Sequence, residues 1–337
     1  MSTADISVII PAYNRESLIG PTLDSLLNQT LPAAEILVVD DGSTDQTARI
    51  AASFGPGVRV IHQENQGPAA ARNNGFRQSR GEFIHFFDSD DVAVTNKHEV
   101  QLKALEDTTA DIAYGPWIKG AFSGKTFIPS NGVFQQRGLP SGDLVKALLC
   151  DWSIVPHACL FRRGIVERSE GFPDDLFVGE DQFMFLSCLL AGAKVVHSPG
   201  TLELYRVDNA DKITESGGGL IKRLVEWGRF LVKANHLCRK NNYNPTSWFS
   251  FQKRAYGVFS ELKTMDFEGK EELLSDLSSL FNPRKKIFYS MSGFVNQKRQ
   301  GLEMRLTGNR GSGDLRVGAL TKIQITEIEQ TGYNIPS

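Results

Sequence analysis

Cysteine is scarce in this chain: four in 337 residues, Cys150, Cys159, Cys188 and Cys238, with no C-x-x-C pair. That argues against a disulfide scaffold or a zinc ribbon and fits buried thiols in a reducing compartment. No apolar run approaches the ~20 residues of a membrane span. The N-terminus, M-S-T-A-D-I-S-V-I-I-P-A-Y-N, puts no basic stretch ahead of its short apolar run. It does not read as a signal peptide, and a cytoplasmic location is the expectation. No G-x-G-x-x-G follows the first apolar run, which argues against a dinucleotide dehydrogenase. The six histidines lack H-E-x-x-H spacing. Gly120–Thr126 resembles a phosphate-binding loop, but the spacer between its glycines is one residue short, and Phe127-Ile128-Pro129 follows where a helix is required.

What remains is a globular composition, 41% hydrophobic and 23% charged. The length suits one large domain or two ordinary ones. The net charge of −2 hides an asymmetry. Residues 1–216 carry 18 Lys and Arg against 28 Asp and Glu, and residues 217–337 carry 19 against 11. A basic C-terminal third can face an anionic partner, or it can be the solvated surface of a helical region.

Apolar runs alternate with helical patterns in the first ~115 residues. Ile6–Ile10, Glu35–Val39, Val58–His62, Glu82–Phe87 and Asp111–Tyr114 read as strands. Between them, Leu18–Leu27, a helix opened by Ser43 with Gln46 completing a capping box, the stretch after Gly67-Pro68, and a segment capped by Asn96 and running to about Glu106 read as helices. This βαβ alternation predicts a mostly parallel sheet covered by helices. Residues 116–175 are less regular. Phe183–Ala191 has a helical pattern, Lys194–His197 a strand pattern, and the Gly217–Gly219 run is a hinge candidate. Leu220–Cys238, Trp248–Leu262 and Glu271–Phe281 have helical periodicity, and the tail from about Arg299 is expected to be poorly ordered. The chain thus divides into residues 1–115, 116–216 and 217–337.

In an open α/β sheet, ligands bind outside the carboxyl ends of the strands. Pro11-Ala12-Tyr13-Asn14, Asp40-Asp41, Asn65-Gln66-Gly67 and Asp88-Ser89-Asp90-Asp91 all fall there. Residues i and i+2 of an extended segment share a side, so Asp88 and Asp90 can face one ligand. Two hard carboxylates suit Mg²⁺ or Mn²⁺, which complete their shells with water and phosphate oxygens. Arg72, one turn into its helix, offers a planar fork to a diphosphate.

The ordered motifs Ser7–Asn14, Asp40–Asp45, Asn65–Gly75, Asp88–Asp91 and Gly179–Phe183 together resemble the family-2 glycosyltransferases over residues 6–206. The resemblance implies the GT-A fold, a Rossmann-like sheet flanked by helices, and inverting transfer from a nucleotide-diphosphate sugar. It implies that Pro11, Tyr13 and Asp41 contact the base, with Glu16 and Asp40 supporting that end of the pocket. Arg72 would meet the diphosphate. Asp88 would lie near the ribose and Ser89 would contact the nucleotide-sugar, with Asp90 and Asp88 on the metal, Asp91 as a further ligand, and Asp181 as the catalytic base. Trp152, His157 and Glu180 are acceptor-side candidates, although core packing is the stronger account of Trp152. No Q-x-x-R-W is present, as processive members would have, so single-sugar transfer is expected, in cell-surface polysaccharide or glycolipid synthesis.

The expected partners are a nucleotide-diphosphate sugar, UDP-linked by preference, and a sugar or lipid-linked acceptor. Nucleic acid is not expected. The basic C-terminal third is a candidate for peripheral membrane contact or a homodimer surface. Two rival readings are a sugar nucleotidyltransferase, whose Gly-rich activating loop is missing, and an inactive nucleotide-sugar binder, which an intact Asp90 and Asp181 oppose.

Overall fold

The computed structural model describes residues 4–130, 132–150, 152–208, 219–290 and 318–335. The apolar runs form the strands expected of them; the first three run up to two residues further at their ends, and the fourth and fifth start one residue later, the fourth also ending one earlier. They are β1 (Ala4–Ala12), β2 (Ala33–Asp41), β3 (Val58–Gln63), β4 (Phe83–Phe86) and, after the short β5 (Val92–Ala93), β6 (Ile112–Tyr114). β1 pairs in parallel with β2 and β4, and β2 with β3. Alternate residues of these strands enter two cores. Val8, Ile10 and Val38 face one side with α1 (Ile19–Leu27). Ile9, Leu37 and Val39 face the other with α3 (Gly67–Gln78). Both faces are covered, so the runs read as continuously apolar rather than alternating.

Gly75 allows α3 to lie against this sheet. A Cβ there would fall 2.4 Å from Ile9 Cγ2 and 3.0 Å from Val39 Cγ2.

The sheet continues differently from the simple alternation. β9 (Cys159–Arg162) inserts antiparallel between β4 and β6, and β10 (Val195–His197) pairs in parallel beyond β6. The full order is β10-β6-β9-β4-β1-β2-β3. Its anchor is Phe161, whose ring lies edge-on to Phe86 at 5.8 Å. Residues of the second third therefore complete the sheet of the first.

Four further corrections concern local structure. Ser43 does not open a helix: α2 is Thr47–Ala52, and Asp45 Oδ1 accepts from Thr47 N at 2.9 Å. Ser43 Oγ accepts from Asn14 N at 3.0 Å instead, tying two strand-end loops together. Asn96 precedes α4 (Lys97–Glu106) but leaves its cap open, donating instead to Gly200 O at 3.1 Å. The irregular middle region holds a hairpin of β7 (Trp117–Ser123) and β8 (Thr126–Pro129), turned at Gly124. The phosphate-loop lookalike is this hairpin. With β5 and β11 (Glu203–Arg206) it forms a second sheet in the order β5-β11-β7-β8.

The fourth correction is the tail. Its described part, 318–335, contains the helix Lys322–Gln330, opened by a Thr321–Gln324 capping box. Ile328 is buried in the core of the second sheet, with Tyr333 and Ile335 against it. The hairpin's apolar face needs this cover. Residues 299–317 of the expected loose tail, and Gly217-Gly218 of the hinge candidate, lie outside the described residues.

α5 (Leu144–Cys150), α6 (Arg163–Arg168) and α7 (Glu180–Leu190) join the core on the α3 side of the sheet. α8 (Gly219–Lys240), α9 (Phe249–Leu262) and α10 (Lys270–Ser279) pack on one another and, through α7, on that core.

Candidate active site

The carboxyl ends of β1, β2 and β4 meet α7 and the second sheet around a cleft. One lobe, a cavity of about 470 Å³, is lined by Pro11, Tyr13, Asp41, Asn65, Gly67 and Ser89 among others. The other, of about 370 Å³, is lined by the acidic turn Asp88–Asp91, by Arg72 and His157, and by Glu180 and Asp181. Pro11, Arg15, Pro68, Ser89 and Phe177 line both, so the lobes are continuous.

In the first lobe, Asp41 is committed to the fold. Its Oδ1 accepts from Gln66 N (2.9 Å) and Gln63 Nε2 (2.8 Å), and its Oδ2 from Gly67 N (2.8 Å). It thus holds the amino end of α3, where a carboxylate also suits the helix dipole. Asp40 Oδ1 accepts from Ser43 N, and its Oδ2 lies 3.1 Å from His62 Nδ1. Glu16 Oε2 accepts from Gln46 N at 3.0 Å, ahead of α2. Neither Asp40 nor Glu16 is among the residues lining the two lobes. Both brace the loops that do.

The acidic turn departs from the i, i+2 expectation. Ser89 and Asp90 form a turn, so the chain is not extended there. Asp88, Asp91 and His157 are brought together instead, each offering a ligand atom within 4.8 Å of the others. Asp90 Oδ2 points toward Arg15, at 4.0 Å from its Nε. His157 Nδ1 lies 2.9 Å from Asp88 Oδ2 and 3.2 Å from Asp91 Oδ2. Its hydrogen bond goes to Asp88, which leaves Asp91 Oδ2 buried without one. Asp91 Oδ1 accepts from Arg206 N at 2.8 Å, and Arg206 Nε donates to the Asp90 carbonyl at 2.9 Å.

A buried carboxylate oxygen lacking a hydrogen bond is costly unless something completes it. Two carboxylates and an imidazole within reach of one point fit a divalent cation of the Mn²⁺ or Mg²⁺ kind.

Charge is balanced across the lobe by Arg72. Its Nη2 donates to Asp88 Oδ1 at 2.7 Å and its Nη1 to Glu180 Oε1 at 3.3 Å, with its guanidinium over the Phe172 ring. Burial alone would raise the Asp88 pKa. The Arg72 charge and the His157 hydrogen bond outweigh it and hold the carboxyl well below the usual range. Burial, with Asp90 and Asp88 close by, pushes Asp91 well up. Gly179, at φ 88°, turns the chain into α7 so that Glu180 and Asp181 occupy its first turn. Burial, then the neighbouring Asp181, pushes Glu180 up to about 7. Burial also raises Asp181.

Two acceptor-side expectations change. Trp152 does not line the cleft. It packs edge-on to Tyr114 and Phe185, at 5.6 Å from each, and is 3% exposed. His157 joins the acidic cluster. The lining of this lobe is completed instead by Trp117, Lys119, Tyr205, Arg206 and Trp227. Sequence reasoning missed these because they come from the second sheet and α8. Only the pairing of β11 with β7 brings Tyr205 beside Lys119.

Residues 7–169 match the model of the glycosyl transferase family 2. The chain is 40% identical over 211 residues to the glycosyltransferase GlyG of Streptococcus pneumoniae, covering 60% of this chain and 70% of that protein. The chain belongs to the family-2 glycosyltransferases. It is also 31% identical over 220 residues to an uncharacterised glycosyltransferase, EpsJ, of Bacillus subtilis, covering 62% of this chain and 63% of EpsJ. Against a longer Rickettsia conorii glycosyltransferase the match spans 30% of that protein, so the chain covers less than two thirds of these two relatives.

Among solved structures, S. aureus TarS 1–349 in complex with UDP-GlcNAc superimposes with a TM-score of 0.63 at 18% identity, covering 90% of this chain and 92% of that one. The glycosyltransferase therefore has the GT-A fold. A mannosyltransferase of Pyrobaculum calidifontis, in complex with GDP-Man and Mn²⁺, matches with a TM-score of 0.51 at 19% identity, covering 88% and 86%.

Proposed function

We propose that this glycosyltransferase moves a single sugar from a UDP-sugar to an acceptor hydroxyl with inversion, in cell-surface polysaccharide or glycolipid synthesis. The observation that carries the reading is the placement of Asp181 and the Asp88–Asp91 turn on the walls of one cavity, open to the lobe behind Pro11 and Tyr13. UDP-GlcNAc in the TarS complex favours a uridine donor.

The nucleotide lies in the first lobe, against Pro11, Tyr13 and the α3 amino end that Asp41 holds. The acceptor oxygen attacks the anomeric carbon as the bond to the nucleotide diphosphate breaks. Asp181 takes the acceptor proton. Its raised affinity for protons makes it a better base than an exposed aspartate. Asp88, Asp91 and His157 would hold the cation, with Asp90 on the same wall. When bound, the cation offsets charge gathering on the departing diphosphate. Arg72 adds a second positive charge to that side of the cavity.

The test is a screen of the purified protein against UDP-, GDP- and dTDP-sugars, read as release of the nucleotide diphosphate with Mn²⁺ or with excess chelator. Release from a UDP-sugar, lost in chelator, is expected. Release from a GDP- or dTDP-sugar alone would overturn the donor. Undiminished release in chelator would overturn the cation.

A further inference from the structure

A surface far along the chain from the cleft residues combines exposed apolar and cationic groups. Asn282 starts a short turn, Pro283–Lys285, and the chain continues helically through Ser290. Tyr289 is the inward anchor of this stretch. It is 2% exposed, its hydroxyl donates to Gln252 Oε1, and its ring packs on Tyr256 and Phe281. With Tyr289 turned inward, Ile287 and Phe288 point out, 71% and 63% exposed. Phe249, 44% exposed at the start of α9, joins them through its ring contact with Tyr289 at 5.3 Å. Arg284, Lys285 and Lys286 sit beside these apolar groups and are exposed as well. From Asn282 to Ser290 there is no Asp or Glu.

Single exposed apolar side chains are ordinary on a protein surface. An exposed Ile-Phe pair flanked by three cations, and extended by a second Phe, is a different object. It suits a surface that is apolar just below a layer of negative charge. No described helix is long and apolar enough to cross a membrane.

We propose that Arg284, Lys285, Lys286, Ile287, Phe288 and Phe249 form a docking surface for an anionic lipid bilayer. The cations meet the headgroup charge, and the three apolar side chains enter the boundary with the acyl region. The proposal stands independently of the donor and the base. It would bring the enzyme to membrane-borne acceptors.

The experiment is sedimentation of the full-length protein with vesicles of phosphatidylcholine containing 30% phosphatidylglycerol, and with phosphatidylcholine alone, at low and high salt. Binding to the anionic vesicles that weakens with salt is expected, with little binding to neutral ones. Each cation near a charged surface contributes about fivefold, so Arg284→Gln/Lys285→Gln/Lys286→Gln should weaken partitioning on the order of a hundredfold. Ile287→Ser/Phe288→Ser should weaken it at least about tenfold. All five side chains are exposed, so nucleotide release by both variants should match the parent and report an intact fold. Equal binding to neutral vesicles, no binding to anionic vesicles at low salt, or variants that bind like the parent would each overturn the proposal. So would a concentration-dependent dimer abolished by Ile287→Ser/Phe288→Ser without vesicle binding, which would assign the face to a second copy of the chain.

Discussion

Glu180 supplies a measurable link between the site and the stability of the fold. It occupies the first turn of α7 with its side chain 13% exposed, 3.3 Å from the Arg72 guanidinium. Burial is the main reason its carboxyl is pushed from an ordinary 4.5 up to about 7, and the charge of Asp181 adds to it. Arg72 pulls the other way and loses. The folded state therefore keeps a proton that the unfolded chain has released between these values. A raised carboxyl contributes stability that is fully present below about 4.5 and is lost as pH rises through about 7. The gap corresponds to about 3 kcal/mol at most, shared with Asp181 because the two carboxyls titrate as a pair.

Glu180→Gln replaces the neutral acid with a neutral side chain of the same shape. The variant should match the parent below about pH 4.5 and exceed it progressively as pH rises to about 7, levelling off above that at up to about 3 kcal/mol. Urea unfolding of both proteins at half-unit pH steps measures this. Parallel stability profiles would refute the reasoning. A variant that falls behind the parent as pH rises would show that the Arg72 ion pair outweighs burial.

Three further outcomes follow from the same geometry. Asp181→Asn should lower turnover about 10²- to 10⁴-fold while calorimetry finds nucleotide-sugar affinity nearly unchanged; normal turnover would place the base elsewhere. His157→Ala should weaken Mn²⁺ binding by at least about tenfold, measured by titration calorimetry, and more than Asp90→Asn does; an unchanged affinity would remove His157 from the cation site. Lys97 and Glu203 form an ion pair at 3.0 Å with both side chains fully buried, so Lys97→Met alone should cost about 3–5 kcal/mol in urea unfolding. The double change Lys97→Met/Glu203→Leu should cost much less, and equal losses would mean that packing rather than unpaired charge sets the penalty.

The first sheet was readable because its strands are buried on both faces. Ile6–Ile10 and Glu35–Val39 have no polar alternation to confuse them, and the strand-end rule then located Pro11, Asp41 and Asp88 on one rim. β9 was not readable. Four residues, Cys159–Arg162, carry little signal of their own, and their place is decided by Phe161 meeting Phe86. The Ser43 capping box failed for a related reason. Asp45 offers a competing carboxylate to the same helix end, and Asn14 from another loop claims the Ser43 hydroxyl.

The acidic turn divides along the same line. Its residue types and its position after β4 could be derived from the chain alone, and they pointed to a hard cation beside a diphosphate. Which carboxylates converge depended on backbone shape. A turn at Ser89-Asp90 pairs Asp88 with Asp91 rather than with Asp90, and His157 arrives from 66 positions further along the chain. Local periodicity carries information over a few residues, because it reflects helix and strand geometry. Convergence of Asp88, Asp91, His157 and Arg206 is set by packing between elements distant in the chain, and only the tertiary structure decides it.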